Sequence, residues 1–74
     1  MFLLFRGINY YPAGGAKDYV NAYSTADGAI LDGQAYLREQ GSLAWFNVFD
    51  VKRRVMVHHE EVEANGDVTV QGEP

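Results

Sequence analysis

The spacing of apolar residues changes along the chain from strand-like to helix-like and back, which predicts strands on both sides of one helix. Residues 2–5 are continuously apolar and predict a central strand, because both of its faces need cover. Residues 17–24 alternate between two faces and predict a second strand. Between them, "NYYPAGG" at residues 9–15 contains a proline and two glycines that interrupt pairing, which predicts a wide hairpin loop.

One helix is predicted over residues 25–40. Ser24 and Thr25 are candidate N-caps, and Gly41 is placed to cap the C-terminus. Small and apolar residues recur at three- and four-residue spacing, so that one stripe can lie on a sheet. The stripe consists of Ala26, Ala29, Ile30, Gly33 and Leu37. Gly33 lies on this stripe, and we expect it to permit a close approach of helix to sheet.

The last third of the chain predicts three further strands. "SLAWFNVFDV" alternates, with Ala44, Phe46 and Val48 on one face and Trp45, Asn47 and Phe49 on the other. "VMVHHEEVEA" predicts a long strand in which strict alternation puts Met56, His58 and Glu60 on one face. Asn65-Gly66 indicates a tight primed hairpin turn, after which "DVTVQ" returns as a short final strand.

These elements predict an α+β fold with the order ββαβββ. One antiparallel sheet of four to five strands, in the order 2-1-3-4-5, follows from a right-handed crossover through the helix. The chain is then a single domain, residues 1–74, with residues 58–74 as a hairpin extension. A single helix covers only one face of the sheet, so the other face, with Trp45, Phe49 and Met56, needs a partner. A second copy of the chain is one such partner, and we expect a homodimer or larger homo-oligomer.

Composition excludes several classes of function. The chain has 74 residues and no cysteine, which rules out disulfides, thiolate nucleophiles and cysteine metal sites and suits a cytoplasmic protein. Its net charge is −4, and half of its ten acids lie at or beyond Glu60, so we expect no nucleic-acid partner. No apolar stretch approaches the roughly 20 residues that span a membrane, so we expect no membrane partner.

Neither catalysis nor metal binding is predicted. His58 and Glu60 share a strand face, but no third ligand is spaced with them, so "HHEE" is interpreted as a solvated strand segment rather than a metal site. Ser24, Thr25 and Ser42 stand where helix caps are expected. With no set of nucleophile, base and orienting group, we expect a protein that is not an enzyme and has no cofactor.

Candidate binding residues come from three features of the sequence. The opening loop lacks the glycine spacing of nucleotide-binding loops, but Tyr10 and Tyr11 are typical of interface anchors, and Gly14 and Gly15 shape the loop around them. Trp45 and Phe49 belong to the uncovered sheet face. Glu60 and Glu61 begin an acidic hairpin that also contains Glu63 and Asp67.

Several segments together resemble a known family: "LLFRG", "YYPAGG", "KDYV", a capped helix and "AWFNVFDVKRRVMV". Over residues 2–57 the chain resembles small, largely uncharacterised phage and bacterial proteins with a Tyr-Tyr-Pro-x-Gly-Gly element and a ββαββ core. The resemblance implies an accessory phage or prophage protein in the cytoplasm of a bacterial host. It also implies a non-catalytic protein that binds and antagonises a host defence or regulatory factor. The alternative is an oligomeric protein that sequesters a small, nucleotide-like molecule between the rings and the glycine-rich loop.

Overall fold

The computed structural model describes residues 1–8 and 19–72, and these form one five-stranded sheet and one helix. In chain order the elements are β1 (Phe2–Ile8), β2 (Tyr19–Tyr23), α1 (Ala26–Gln40), β3 (Ala44–Asp50), β4 (Val55–Val62) and β5 (Val68–Gly72). The strand order is β2-β1-β3-β4-β5, and every neighbouring pair is antiparallel. The predicted α+β class, strand order and single helix are therefore confirmed.

The core lies between α1 and one face of the sheet. Leu4, Phe46 and Val48 are fully buried there, as the alternation in β1 and β3 predicts. Gly33 faces the Phe46 ring so closely that a Cβ atom at this position would lie 2.3 Å from the ring atom Cδ2. The close approach predicted for Gly33 is confirmed, and it lets the helix sit directly on the central strand.

Both ends of α1 are capped as the sequence predicts. At the N-terminus Thr25 is the cap, and its Oγ1 accepts a hydrogen bond of 3.1 Å from the backbone N–H of Gly28. At the C-terminus Gly41 has a φ of 85°, which is the left-handed region that favours glycine. Its N–H donates a hydrogen bond of 2.9 Å to the carbonyl of Leu37. The helix therefore ends at Gln40, just before β3 begins at Ala44.

The strict alternation predicted for β4 is wrong because of an irregularity in its pairing with β3. Met56 pairs with Phe49, whereas His58 pairs with Val48, so one extra residue of β4 lies between the two pairs. This β-bulge changes the phase of the strand. Met56 therefore faces away from the helix, while His58 and Glu60 face it.

The two hairpins at the ends of β4 use different turns. Between β3 and β4, the buried Asp50 holds the turn, because its Oδ1 accepts hydrogen bonds from the N–H groups of Lys52 and Arg53. Between β4 and β5, only Gly66 has positive φ, and its N–H donates to the carbonyl of Glu63. The hairpin at Asn65-Gly66 is confirmed, but the tight primed turn is wrong. The loop is a wider one that ends in a left-handed glycine.

Candidate functional site

The side of the sheet that faces away from α1, here called the open face, collects large apolar side chains. The strand registers put Leu3 opposite Phe49, and Phe49 opposite Met56, so these three form one row across β1, β3 and β4. No described element lies over this side, since α1 packs on the opposite one. Met56 is 47% exposed even though its strand is internal to the sheet. The open face therefore presents apolar area to solvent.

The neighbouring row of the open face carries an aromatic pair at the edge of the sheet. Phe5 and Tyr19 are paired across β1 and β2, and their rings meet edge to face with centroids 5.8 Å apart. That geometry is favourable for aromatic pairs. Tyr19 is 43% exposed, so one side of the pair remains accessible.

Trp45 lies flat against the neighbouring strand because Gly7 stands opposite it. A Cβ atom at position 7 would be 2.9 Å from Cζ2 of the indole, closer than side chains tolerate. Gly7 thus makes room for the ring. The role of Gly7 was not found in the sequence, although a glycine inside an apolar strand is a known sign of close approach.

Polar residues lie between the apolar groups of the open face, because Asn47 stands between Trp45 and Phe49 on β3 and pairs with His59 on β4. The imidazole of His59 contacts Asn47 Oδ1 through Nδ1 and lies 3.5 Å from Glu61 Oε1 through Nε2. Both ring nitrogens are thus engaged by neighbours on the same face. Thr69 and Gln71 add further polar side chains to the same face on β5. The open face thus combines large apolar side chains with hydrogen-bonding groups, and protein interfaces contain both.

The predicted binding residues divide between the two sides of the sheet. Trp45, Phe49 and Glu61 share the open face. The interpretation of Glu60 as part of an exposed acidic surface is wrong, because it is 6% exposed and faces α1. Four further predicted residues lie outside the described part of the chain: Tyr10, Tyr11, Gly14 and Gly15.

Glu60 belongs instead to a buried polar cluster beneath α1, which the sequence did not reveal. Its Oε2 accepts a hydrogen bond of 2.9 Å from Gln34 Nε2 and lies 2.7 Å from His58 Nε2. His58 in turn stacks on Phe46, with ring centroids 5.7 Å apart. The "HHEE" segment is therefore not a solvated edge. At these residues β4 is paired with both β3 and β5, and the His58 and Glu60 side chains face the helix.

Residues 1–8 and 19–72 contain neither a cluster of metal ligands nor a helix that could span a membrane. Across residues 1–8 and 19–72, no three His, Asp or Glu side chains converge as ligands of a metal ion would. In the same residues, no helix has the length and apolar character needed to cross a bilayer.

Near the start of α1, one ionisable group has a clearly shifted pKa. Partial burial raises the pKa of Tyr23 to about 12, and a hydrogen bond of 2.6 Å from its hydroxyl to Asp32 Oδ2 contributes in the same direction. The pair links β2 to the helix, on the side of the sheet opposite the open face.

Comparison with known proteins gave one result. A family model described as "Bacteriophage T4 protein Y07C" matches residues 2–60, which is most of the chain and includes β1 to β3 and most of β4. Searches of curated proteins and of solved structures returned no match.

Proposed function

Because the chain belongs to the bacteriophage T4 protein Y07C family, we propose that it is an accessory phage protein that binds a protein of the bacterial host. The binding antagonises a host defence or regulatory factor by occupying one of its surfaces, and no reaction is catalysed. The observation that carries this proposal is the open face, an aromatic side of the sheet that no described element covers.

The composition of the open face supports protein binding. Aromatic residues and methionine are enriched at interface centres, because aromatic rings bury large areas at a small cost in side-chain entropy and methionine adapts its shape to the partner. Here Trp45, Phe49 and Met56 supply that area, and a β-sheet holds them at fixed spacing. A preformed sheet surface suits docking to a folded partner with little change in backbone conformation.

The polar residues of the open face support binding rather than catalysis. A general base needs a ring nitrogen within reach of the substrate proton. Both ring nitrogens of His59 instead contact Asn47 and Glu61. These contacts hold the imidazole in place on the surface, between Asn47 and Glu61.

The proposal is tested by purifying the tagged protein from bacterial host cells and recording native mass spectra. The wild type is compared with a Tyr19→Lys/Met56→Lys variant, which places charge on two accessible positions of the open face. Leu31→Lys is the matched control, because Leu31 is 63% exposed but lies on α1. We expect a stoichiometric host protein with the wild type and the control, and its loss with the double variant.

Two results would contradict the proposal. Equal retention of the partner by all three proteins would show that the open face does not bind it. A retained small molecule without any protein partner would instead favour the sequestering alternative.

A further inference from the structure

The loop between β4 and β5 contains an asparagine followed by a glycine, Asn65-Gly66, and both residues are exposed. In such a dipeptide the backbone nitrogen of the glycine can attack Cγ of the asparagine, because glycine has no Cβ atom to hinder the approach. The other asparagines of the described residues, Asn21 and Asn47, precede alanine and valine. Asn65 is therefore the one at which spontaneous deamidation is chemically easiest.

The reaction needs only water besides the two residues. A new bond between the Gly66 nitrogen and Asn65 Cγ closes a succinimide ring. The bond between Cγ and Nδ2 breaks, and the departing nitrogen leaves as ammonia with the proton that Gly66 has lost. Water then opens the ring at one of its two carbonyl groups, which leaves either aspartate or isoaspartate at position 65.

The attacking nitrogen is engaged in the folded hairpin. The N–H of Gly66 donates a hydrogen bond of 2.9 Å to the carbonyl of Glu63, and the N–H of Glu63 donates one of 2.9 Å to the carbonyl of Asp67. The nitrogen must lose its proton to attack, and an amide bonded in this way exchanges its proton with solvent when the local structure opens. The closed loop therefore withholds the nucleophile.

The side-chain amide of Asn65 is held at both of its ends by Asp67. Its Oδ1 accepts a hydrogen bond of 3.0 Å from the backbone N–H of Asp67, and its Nδ2 donates one of 3.0 Å to Asp67 Oδ2. Ring closure requires the amide to turn until Cγ meets the Gly66 nitrogen face-on, which these two bonds oppose. An ionised carboxylate only accepts hydrogen bonds, so Asp67 does not supply the proton that the leaving nitrogen needs.

We propose that Asn65 is a deamidation site governed by the β4–β5 hairpin: the closed loop keeps the reaction slow, and opening of the hairpin releases it. The product does not restore the loop, because a carboxylate at position 65 cannot donate to Asp67 and repels it instead. Isoaspartate also lengthens the backbone of the turn. Each opening that leads to reaction is thus recorded as a permanent change. The inference does not depend on the proposed function of the open face.

The test follows deamidation at neutral pH in the whole protein and in a free peptide of residues 60–70, which is too short to keep a stable hairpin. Tryptic cleavage after Arg54 gives residues 55–74, in which Asn65 is the only asparagine, so mass spectrometry of this fragment measures its conversion. We expect the whole protein to react at least about tenfold more slowly than the peptide, since each hydrogen bond that must break first slows the reaction by about fivefold. Equal rates would overturn the inference.

Two substitutions separate the contact with Asp67 from the negative charge of the hairpin. Asp67→Ala removes the acceptor of Asn65 Nδ2, whereas Glu63→Ala removes a neighbouring carboxylate but keeps the backbone carbonyl that accepts from Gly66. We expect Asp67→Ala to react about fivefold faster than the wild type, and Glu63→Ala to react at the wild-type rate. A wild-type rate for Asp67→Ala would contradict the proposal, and so would equal acceleration by both substitutions.

Discussion

Replacing Gly33 with alanine distinguishes packing from helix propensity, because the two predict opposite signs. Propensity alone makes Gly33→Ala stabilising by about 1 kcal/mol, since glycine is a poor residue inside a helix. In the structure, however, the new Cβ atom would lie 2.3 to 2.5 Å from three ring atoms of Phe46. Ordinary carbon contacts are about 3.5 to 4.0 Å. The ring is fully buried, so either α1 or the ring must move by about 1 Å.

The packing cost exceeds the gain in propensity. Overpacking a core costs about 1–3 kcal/mol, and overlap with three ring atoms places Gly33→Ala at the upper end. After the gain of about 1 kcal/mol, the free energy of unfolding should fall by about 2 kcal/mol. For a domain of this size, that corresponds to a melting temperature lower by about 8–16 °C. Urea unfolding and thermal unfolding followed by circular dichroism measure both quantities.

Gly28→Ala is the matched control in the same helix. It has the same gain in propensity, but its nearest contact is Thr25 Oγ1 at 3.2 Å, an atom at the surface end of the helix. We expect it to be at least about 1 kcal/mol more stable than Gly33→Ala. In a Phe46→Leu background, Gly33→Ala should lower the free energy of unfolding by less, because the ring atoms that the new Cβ atom would meet are absent. If Gly33→Ala raised the melting temperature as much as Gly28→Ala, the close packing of α1 on β3 would be refuted.

The remaining predictions concern the N-cap of the helix, the Tyr23–Asp32 pair and the hairpin extension. Thr25→Ala should lower the free energy of unfolding by about 1 kcal/mol, because it removes the acceptor for Gly28 N–H. Thr25→Ser keeps a hydroxyl at this position and should retain most of that stability. Urea unfolding of both variants measures the difference. Subtracting the ultraviolet titration of Tyr23→Phe from that of the wild type should isolate one tyrosine with a pKa of about 12. Asp32→Asn should lower the pKa of Tyr23 towards 10, because it removes the carboxylate that accepts the hydroxyl hydrogen bond. The same Tyr23 pKa in Asp32→Asn and in the wild type would contradict the link between the two residues. Since the folded pKa exceeds the unfolded one, the stabilisation by Tyr23 should be complete below pH 10 and lost as the pH rises through 12. If residues 58–74 are a separable extension, a chain that ends at residue 57 should still unfold cooperatively on heating. The melting temperature of this shortened chain should be lower, because Val62 lies in the core. A loss of the cooperative transition would show that the segment belongs to the domain.

The sheet topology could be predicted from the sequence because each step used a strong local signal. The alternation in β3 separates Phe46 and Val48 from Trp45 and Phe49, and the structure places the first pair in the core. The caps at Thr25 and Gly41 fixed the ends of the helix. With the direction of each element known, few antiparallel arrangements remained.

The phase of β4 could not be predicted, and the error changed the interpretation of Glu60. A bulge adds one residue without a characteristic sequence, so strict alternation fails beyond it. One signal was nevertheless present. Gln34 stands four residues after Ile30 and three before Leu37, on the apolar stripe of the helix. A polar residue on a buried stripe calls for a buried polar partner, which Glu60 provides.

The most direct test of the central claim is photo-crosslinking at the open face inside host cells. A benzophenone amino acid replaces Met56 in one protein and Leu31 in another, both of which are exposed positions. If the open face binds a host protein, irradiation should give one discrete adduct with a host protein from position 56 and none from position 31. An adduct only from position 31 would contradict the account. So would an adduct from position 56 that has twice the mass of the 8.3 kDa chain, since it would show that this face binds a second copy instead.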